Sequence, residues 1–209
     1  MKTLLSFKKK LFAGICLFTL QACGNQSYIT EHVQDFRIFP ETNDSLVLES
    51  LNILTDEYND DIGFEAITLV TEKNDANSFI RFPLGLRSNE NKLGLGQWIT
   101  VTTEEGREIL PSSRILTRSV LYAMEIDFDY QNFRDKAERV RNENDEKAWS
   151  HLYHLFCHEV GHGLQMNHNE SKASIMYPSI PENSRPNLGY DQYFSEARRF
   201  FERSMANAQ

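Results

Sequence analysis

The sequence is short of cysteine, of long apolar runs and of positive charge. Only three of its 209 residues are cysteine, and only Cys157 lies beyond the first 23 positions. A disulfide framework is therefore excluded for the main part of the chain. The longest apolar run, residues 11–20, is about half of the ~20 residues that a membrane-spanning helix needs. The formal net charge of −8 argues against nucleic acid as a partner.

The remaining composition is that of a folded protein. Hydrophobic residues make up 40% of the chain and charged residues 25%, as in ordinary globular domains. A length of 209 residues is enough for one domain with a sizeable core. Collagen-like and disordered classes are excluded.

The first 22 residues are typical of a secretory signal peptide. Four lysines precede the apolar run, and small residues follow it. Leu20-Gln21-Ala22-Cys23 resembles a bacterial lipobox, which implies that Cys23 is lipidated and becomes the new N-terminus. The alternative is a plain secretory signal with an incidental cysteine. Residues 23–34 are then expected to form a short polar tether.

This interpretation predicts an exported protein that the lipid on Cys23 anchors to the membrane of a bacterial cell envelope. Gly24 follows the cysteine instead of the aspartate that commonly signals inner-membrane retention, so the outer membrane or the cell surface is favoured. Loss of four lysines and no acid would change the formal charge from −8 to −12. Membrane contact should therefore come from the lipid and not from charge.

The order of predicted elements indicates an α+β fold. Apolar residues recur at helical spacing from Val47 to Tyr58, after a plausible N-cap at Asn43-Asp44. A second, long helix is predicted from Ala148 to about Leu164, and an apolar stripe from Tyr190 onwards predicts a closing helix. Strands are predicted at residues 36–39, 64–70, 78–82, 97–102 and 122–128. We expect the helices to cover one mixed, twisted sheet in a single domain.

Residues 157–168, CHEVGHGLQMNH, have the composition of a zinc site. His158 and His162 are four apart on the predicted helix, so both imidazoles lie on one face and can bind one zinc ion. Glu159 has the place of the general base in the H-E-x-x-H pattern, acting on the water that zinc activates. A catalytic zinc needs a third protein ligand. His168 supplies it if the helix ends near Leu164 and the chain turns back.

This segment, followed by Ser174-Ile175-Met176-Tyr177-Pro178, resembles the metzincin zinc endopeptidases. The Met-Tyr-Pro ending is most similar to the matrixin-like branch. The resemblance implies a zincin fold over residues 35–209, one catalytic zinc and hydrolysis of a protein or peptide substrate. It also implies a turn that places Met176 beneath the metal. An extended substrate is expected to pair with an edge strand around residues 94–100, and the protein is expected to be a monomer.

The sequence departs from the family's pattern at Gln165, which stands where the pattern has glycine. Glycine permits a positive φ, which costs another residue roughly 1–2 kcal/mol. We therefore predict a left-handed or otherwise strained backbone at Gln165 and tolerance of Gln165→Gly. Gly163 is a second candidate for sharing this turn.

Other residues near the pattern have two interpretations each. His154 either supports the metal ligands or is a packed or solvent-facing histidine, and the second is favoured. Cys157 is expected to be a small buried hydrophobe. Tyr177 is expected to be structural, although it could also stabilise an oxyanion. Asp127 and Asp129 are candidate calcium ligands, with solvated carboxylates as the simpler expectation.

Two other functions stay open. A zincin of a different class would take Glu196, 34 residues after His162, as its third ligand in place of His168. A non-catalytic lipoprotein would use zinc only to brace a binding surface. Glu159 argues against the second possibility, because a bracing site needs no general base.

Overall fold

The structure is a computed structural model, which describes residues 26–32, 36–86, 92–110, 113–179 and 189–206. The predicted signal peptide and Cys23 lie outside the described residues. The chain forms two compact units: Met1–Glu31 with Thr102–Val120, and His32–Val101 with Leu121–Gln209. The sequence predicts one catalytic domain over residues 35–209, so the assignment of residues 102–120 to the first unit was not foreseen.

The helices and strands follow an α+β order. In chain order they are β1 (Gln26–His32), β2 (Phe36–Glu41), α1 (Ser45–Ile62), β3 (Ile67–Leu69), a 3-10 turn (Lys73–Asp75), β4 (Ser78–Arg81), β5 (Gly94–Leu110), β6 (Ser113–Phe128), α2 (Tyr130–Glu143), α3 (Glu146–Gly163) and α4 (Tyr190–Ala206). This order is consistent with the predicted fold class. Strands β5 and β6 are much longer than the sequence pattern indicates.

In the first unit, β1 pairs with β6. The sequence predicts a tether over residues 23–34, and the structure has a strand at Gln26–His32 within that range. Tyr28, Ile29 and Thr30 are good strand formers.

In the second unit, β2 pairs in parallel with β3 and β4, and β4 pairs in parallel with the end of β6. Alternate residues of these strands, among them Phe36, Ile38, Ile80 and Ile126, are completely buried on one face. Strand β5 also pairs with β6. Only two residues separate these strands, a connection that is possible for antiparallel but not for parallel neighbours. The sheet is therefore mixed, as predicted.

Asp44 begins α1 as the sequence predicts. Its carboxylate accepts the backbone N–H of Leu46 at 2.9 Å, and the helix ends at Gly63 with φ 92°. The same carboxylate accepts the Tyr130 hydroxyl at 2.8 Å and Arg134 Nε at 3.0 Å. One side chain therefore caps α1 and connects it to α2.

The structure has helix α2 in a region that the sequence pattern shows only as a charged stretch. Phe133 and Ala137 are its buried residues, too few to give a clear helical period. Asp129 caps it by accepting the N–H of Asn132 at 2.9 Å, and the Asp129 side chain is buried. The expectation of a solvated carboxylate is wrong for Asp129. Asp127 forms an ion pair with Arg81 at 2.6 Å, so both acids are already engaged.

The core lies between the sheet and the helices of the second unit. Tyr58 of α1 packs edge-on against Phe156 of α3 and Phe194 of α4. The Tyr193 hydroxyl donates a 2.6 Å hydrogen bond to the carbonyl of Cys157, which joins the closing helix to α3. Cys157 itself is completely buried, as predicted. Among the described residues, no helix has the length and apolar character needed to cross a bilayer.

Candidate metal centre

The last two turns of α3 carry His158, Glu159 and His162. Asp145 starts this helix by accepting the backbone N–H groups of Lys147 and Ala148. The rings of His158 and His162 lie on one face of the helix, with centroids 4.8 Å apart. This placement follows from their spacing of four residues.

The helix ends in a turn built around Gln165. The N–H of Met166 donates to the carbonyl of Gly161 at 2.9 Å, and the N–H of Gln165 donates to that of His162 at 3.0 Å. These two bonds form a Schellman cap, in which the left-handed position normally belongs to glycine. Gln165 occupies that position with φ 65°, as predicted. Gly163 stays in the helix and does not share the turn.

The turn directs His168 back to the helix. The ring of His168 lies 5.3 Å from that of His158 and 4.8 Å from that of His162, measured between centroids. A 2.8 Å hydrogen bond from the N–H of Asn169 to the carbonyl of Met176 closes the loop that follows. The structure thus brings together the three histidines that the sequence proposes as ligands.

Backbone carbonyls determine which ring nitrogen of His158 and of His162 carries the proton. His158 Nδ1 lies 2.7 Å from the carbonyl oxygen of Ile175, and His162 Nδ1 lies 3.0 Å from that of Met166. A carbonyl only accepts, so each Nδ1 carries the proton and each Nε2 has a free lone pair. Metal-binding histidines are typically oriented in this way.

The donor set fits a zinc ion. His162 Nε2 and His168 Nε2 are 3.2 Å apart, and two nitrogens bound to one tetrahedral zinc at ~2.0–2.1 Å would be about 3.3 Å apart. One ligand atom from each of the three histidines lies within 4.8 Å of the others. Glu196, the alternative third ligand, is exposed on α4 and is not part of this group.

Burial keeps two of these imidazoles neutral. It lowers the pKa of His158 to about 4, and it lowers the pKa of His162 as well. Neutral imidazole is the form that binds a metal, so the site is prepared for an ion at ordinary pH.

Glu159 lies beneath the start of β5. Its side chain is only 4% exposed, and burial raises its pKa to about 8, while the N–H of Gly96 and the charge of Lys92 act in the opposite direction. A Cβ on Gly94 would lie 2.4 Å from Glu159 Oε1, and one on Gly96 would lie 2.2 Å from the Glu159 carbonyl oxygen. Strand β5 can therefore approach Glu159 only because both positions are glycine. The repeated glycines of Gly-Leu-Gly are the sequence signal for this contact, which the apolar pattern alone does not predict.

Met176 packs against the end of α3. Its side chain is buried, and a Cβ on Gly161 would lie 2.5 Å from Met176 Sδ. A Cβ on Gly163 would similarly lie 2.9 Å from Met124 Cβ. Both glycines of this segment therefore permit close packing. Tyr177, next to Met176, is half-buried, and its backbone N–H donates to the carbonyl of Ser174 at 3.1 Å.

A cavity of about 600 Å³ opens at the three histidines. Its walls come from the start of β5, from α3 and from the residues after the methionine turn: Lys92, Leu93, Gly94, Leu95, Gly96, Leu155, His158, Glu159, His162, His168, Pro178 and Ser179. This volume is within the range of sites for small ligands and peptide segments. Apolar walls with a few converging polar groups are typical of such sites.

Residues 114–193 match the family model described as Peptidase_M10, the matrixins. Over this region the chain is similar to the matrixin metallopeptidases. A curated relative named "Putative matrix metalloproteinase", from Trichoplusia ni ascovirus 2c, is 34% identical over 74 residues. The alignment covers 35% of this chain and 14% of the relative, so the chain spans only a small part of that protein. No solved structure matches the chain significantly.

The matrixin-like region contains all three histidines, Glu159 and Met176. It also contains α2 and α3 completely and the first residues of α4. The glycines of β5 that cover Glu159 precede it, and their role rests on the structure alone.

Proposed function

We propose that the protein is a zinc-dependent endopeptidase, with His158, His162 and His168 as metal ligands and Glu159 as general base. One observation carries the proposal. Three imidazole ligand atoms converge within 4.8 Å, and the two on the helix are held in the metal-binding tautomer beside a buried carboxyl group. The matrixin similarity of the region supports the same activity.

The chemistry divides between a metal and this chain's own side chains. A zinc ion held by the three histidines would supply a Lewis acid that activates water and polarises a peptide carbonyl. Glu159 accepts the proton of the attacking water at its carboxylate and passes it to the leaving amine. It must be ionised for the first step. Burial opposes this by raising its pKa to about 8, whereas the hydrogen bond from Gly96, the charge of Lys92 and the positive charge of a zinc ion held nearby would favour the ionised form.

The start of β5 is the proposed site of substrate pairing. Residues Lys92 to Gly96 line the cavity beside Glu159, and an extended peptide could add to this strand through backbone hydrogen bonds. Leu93, Leu95 and Leu155 would contact apolar side chains of the peptide. We propose a protein or peptide substrate on these grounds.

The anchoring of the protein is proposed from the sequence. A lipid on Cys23 would hold the catalytic region at a bacterial envelope membrane, with the outer membrane or cell surface favoured by Gly24. Mass spectrometry of the protein expressed in a bacterial host tests this directly. Retention of residues 1–22, or an unmodified Cys23, would contradict the proposal.

The test of the activity compares the wild-type protein with Glu159→Gln. Zinc content is measured first, and cleavage of casein or a mixed peptide library follows at full zinc occupancy. We expect both proteins to bind one zinc, and we expect the variant to be about 10²–10⁴-fold slower because it lacks the general base. Equal activity that a chelator does not inhibit would contradict the proposal. So would inactivity of both proteins on all peptides, which would favour a zinc-braced binding protein.

A further inference from the structure

The cavity at the three histidines carries a charge that contrasts with the rest of the chain. The protein has a formal net charge of −8. Among the described residues that line the cavity, Lys92 is the one with an ammonium group. The other ionisable residues of the lining are Glu159, which is buried, and the histidines themselves. A peptide that enters the cavity therefore meets a local positive charge on an acidic protein.

Lys92 lies in the segment that leads into β5, and the structure fixes this segment beside Glu159. The N–H of Asp129 donates to the carbonyl of Leu93 at 2.9 Å. One residue further, a Cβ on Gly94 would lie 2.4 Å from Glu159 Oε1. The side chain of Lys92 is exposed. Its backbone is thus held at the wall of the cavity, while its ammonium group can meet a ligand that approaches from solvent.

The charge of Lys92 acts on the inside of the cavity. It lowers the pKa of Glu159, against the larger effect of burial in the opposite direction. A charge that acts on this carboxyl group also acts on a carboxyl group of a peptide bound beside it. Coulombic attraction extends over several ångströms, so this effect requires neither direct contact nor a lysine without other partners.

We infer that Lys92 is a specificity-determining residue, which makes the cavity prefer peptides with an aspartate or glutamate beside the apolar residues that its leucines contact. The inference rests on the proposed endopeptidase activity and names its substrate class. Lysine is a point charge on a flexible stem, so either acid can satisfy it without strict geometry. Exposed ion pairs contribute modestly, so we expect a preference of about 2–5-fold and not absolute selection.

The test compares cleavage of matched peptides that differ at one position. Each set has glutamate, glutamine or lysine at that position, and the position is moved along both sides of the scissile bond. At one or more positions, wild type should cleave the glutamate peptide with a kcat/KM about 2–5-fold above that of the glutamine peptide. Lys92→Met should lose this preference, and Lys92→Glu should prefer the lysine peptide. High salt should weaken the preference of wild type, because ions screen exposed charges.

The ratio between peptides separates specificity from a role of Lys92 in catalysis alone. Loss of the lysine charge should also raise the pKa of Glu159, which would change kcat/KM for every peptide by the same factor. Only an interaction with the varied side chain changes the ratio. Peptide binding to the zinc-loaded Glu159→Gln protein, measured by fluorescence anisotropy, gives the corresponding ratio of dissociation constants without cleavage.

Lys147→Met is the matched control. Lys147 is an exposed lysine in the first turn of α3 and is not among the described residues that line the cavity. It lies 11 residues before His158, which is about 16 Å along the helix at ~1.5 Å per residue. Its replacement changes the net charge by the same amount as Lys92→Met and should leave the peptide ratio unchanged.

Three outcomes overturn the inference and leave the proposed function standing. Wild type could cleave the glutamate and glutamine peptides equally at every position, Lys92→Met could retain the preference, or Lys147→Met could lose it as well. A wild-type protein that cleaves no peptide at full zinc occupancy would instead overturn the proposed function. The binding ratio measured with the Glu159→Gln protein and its Lys92→Met derivative then decides the inference alone.

Discussion

Gly161 and Met176 meet at a distance that leaves no room for a side chain on the helix. A Cβ at Gly161 would lie 2.5 Å from Met176 Sδ and 3.0 Å from Tyr193 Cε2. Met176 and Tyr193 of the closing helix therefore both contact α3 at a single glycine. A side chain at this position would have to displace Met176 or Tyr193.

Gly161→Ala should destabilise the protein by about 1–3 kcal/mol, the usual cost of forcing a methyl group into a packed core. The higher helix propensity of alanine offsets only ~1 kcal/mol of this. Urea unfolding of the metal-free protein measures the change. In a double-mutant cycle with Met176→Ala, the two effects should be strongly non-additive because the second change opens the space. Additive effects would show that the contact is not the cause.

Gln165→Gly should be tolerated and should stabilise the protein by up to about 1 kcal/mol. The positive φ of 65° costs glutamine roughly 1–2 kcal/mol, and the greater freedom of glycine in the unfolded chain offsets part of the gain. Gln165→Val should destabilise, because a β-branched residue tolerates this conformation least. The side chain of Gln165 is exposed, so lost packing does not confuse the comparison. A more stable valine variant would contradict the geometry of the cap.

His168→Ala should lose zinc, and Glu196→Ala should keep it. Loss of a direct ligand should weaken binding by more than the roughly 100-fold that the loss of a supporting partner can cause. Metal analysis after dialysis against a weak chelator distinguishes the two variants. If only the Glu196 variant loses zinc, the third ligand has been assigned wrongly.

Glu159 should make the metal-free protein less stable as pH rises. Its pKa is about 8 in the folded protein against 4.5 for the free side chain, so the folded state binds more protons between these values. Stability therefore falls as pH rises through this window, by up to about 5 kcal/mol at 1.36 kcal/mol per pH unit.

Glu159→Gln cannot ionise and should remove this slope. Chemical denaturation in the presence of a chelator, at several values between pH 5 and 8, measures the difference between the two proteins. Glu196→Gln is the control, since it removes an exposed acid of the same type. Parallel pH profiles for wild type and Glu159→Gln would show that the carboxyl group is not held in its neutral form.

The cluster of three histidines could be predicted because its residues are local in sequence. His158 and His162 share a helical face by spacing alone, and the position of Gln165 indicates where the chain must turn. The direction of His168 then follows from a cap whose hydrogen bonds join residues only three to five apart. Local geometry of this kind can be read from one segment.

The contacts that complete the site are long-range and left little trace in the sequence. Gly94 and Gly96 are about 60 positions from Glu159, and a glycine does not indicate what will approach it. Helix α2 was missed because only Phe133 and Ala137 are buried on it. The length of β5 and β6, and with it the division into two units, depends on strand pairing that the apolar pattern does not show.

The buried thiol of Cys157 provides a natural reporter of the opening of α3. The side chain is completely buried, and burial raises its pKa well above the usual value, so it reacts only when α3 opens. In a chain with Cys16 and Cys23 replaced by serine, the rate of alkylation would measure that opening directly. Since Cys157 immediately precedes His158, its protection on adding zinc would report how far a bound ion holds this end of the helix closed.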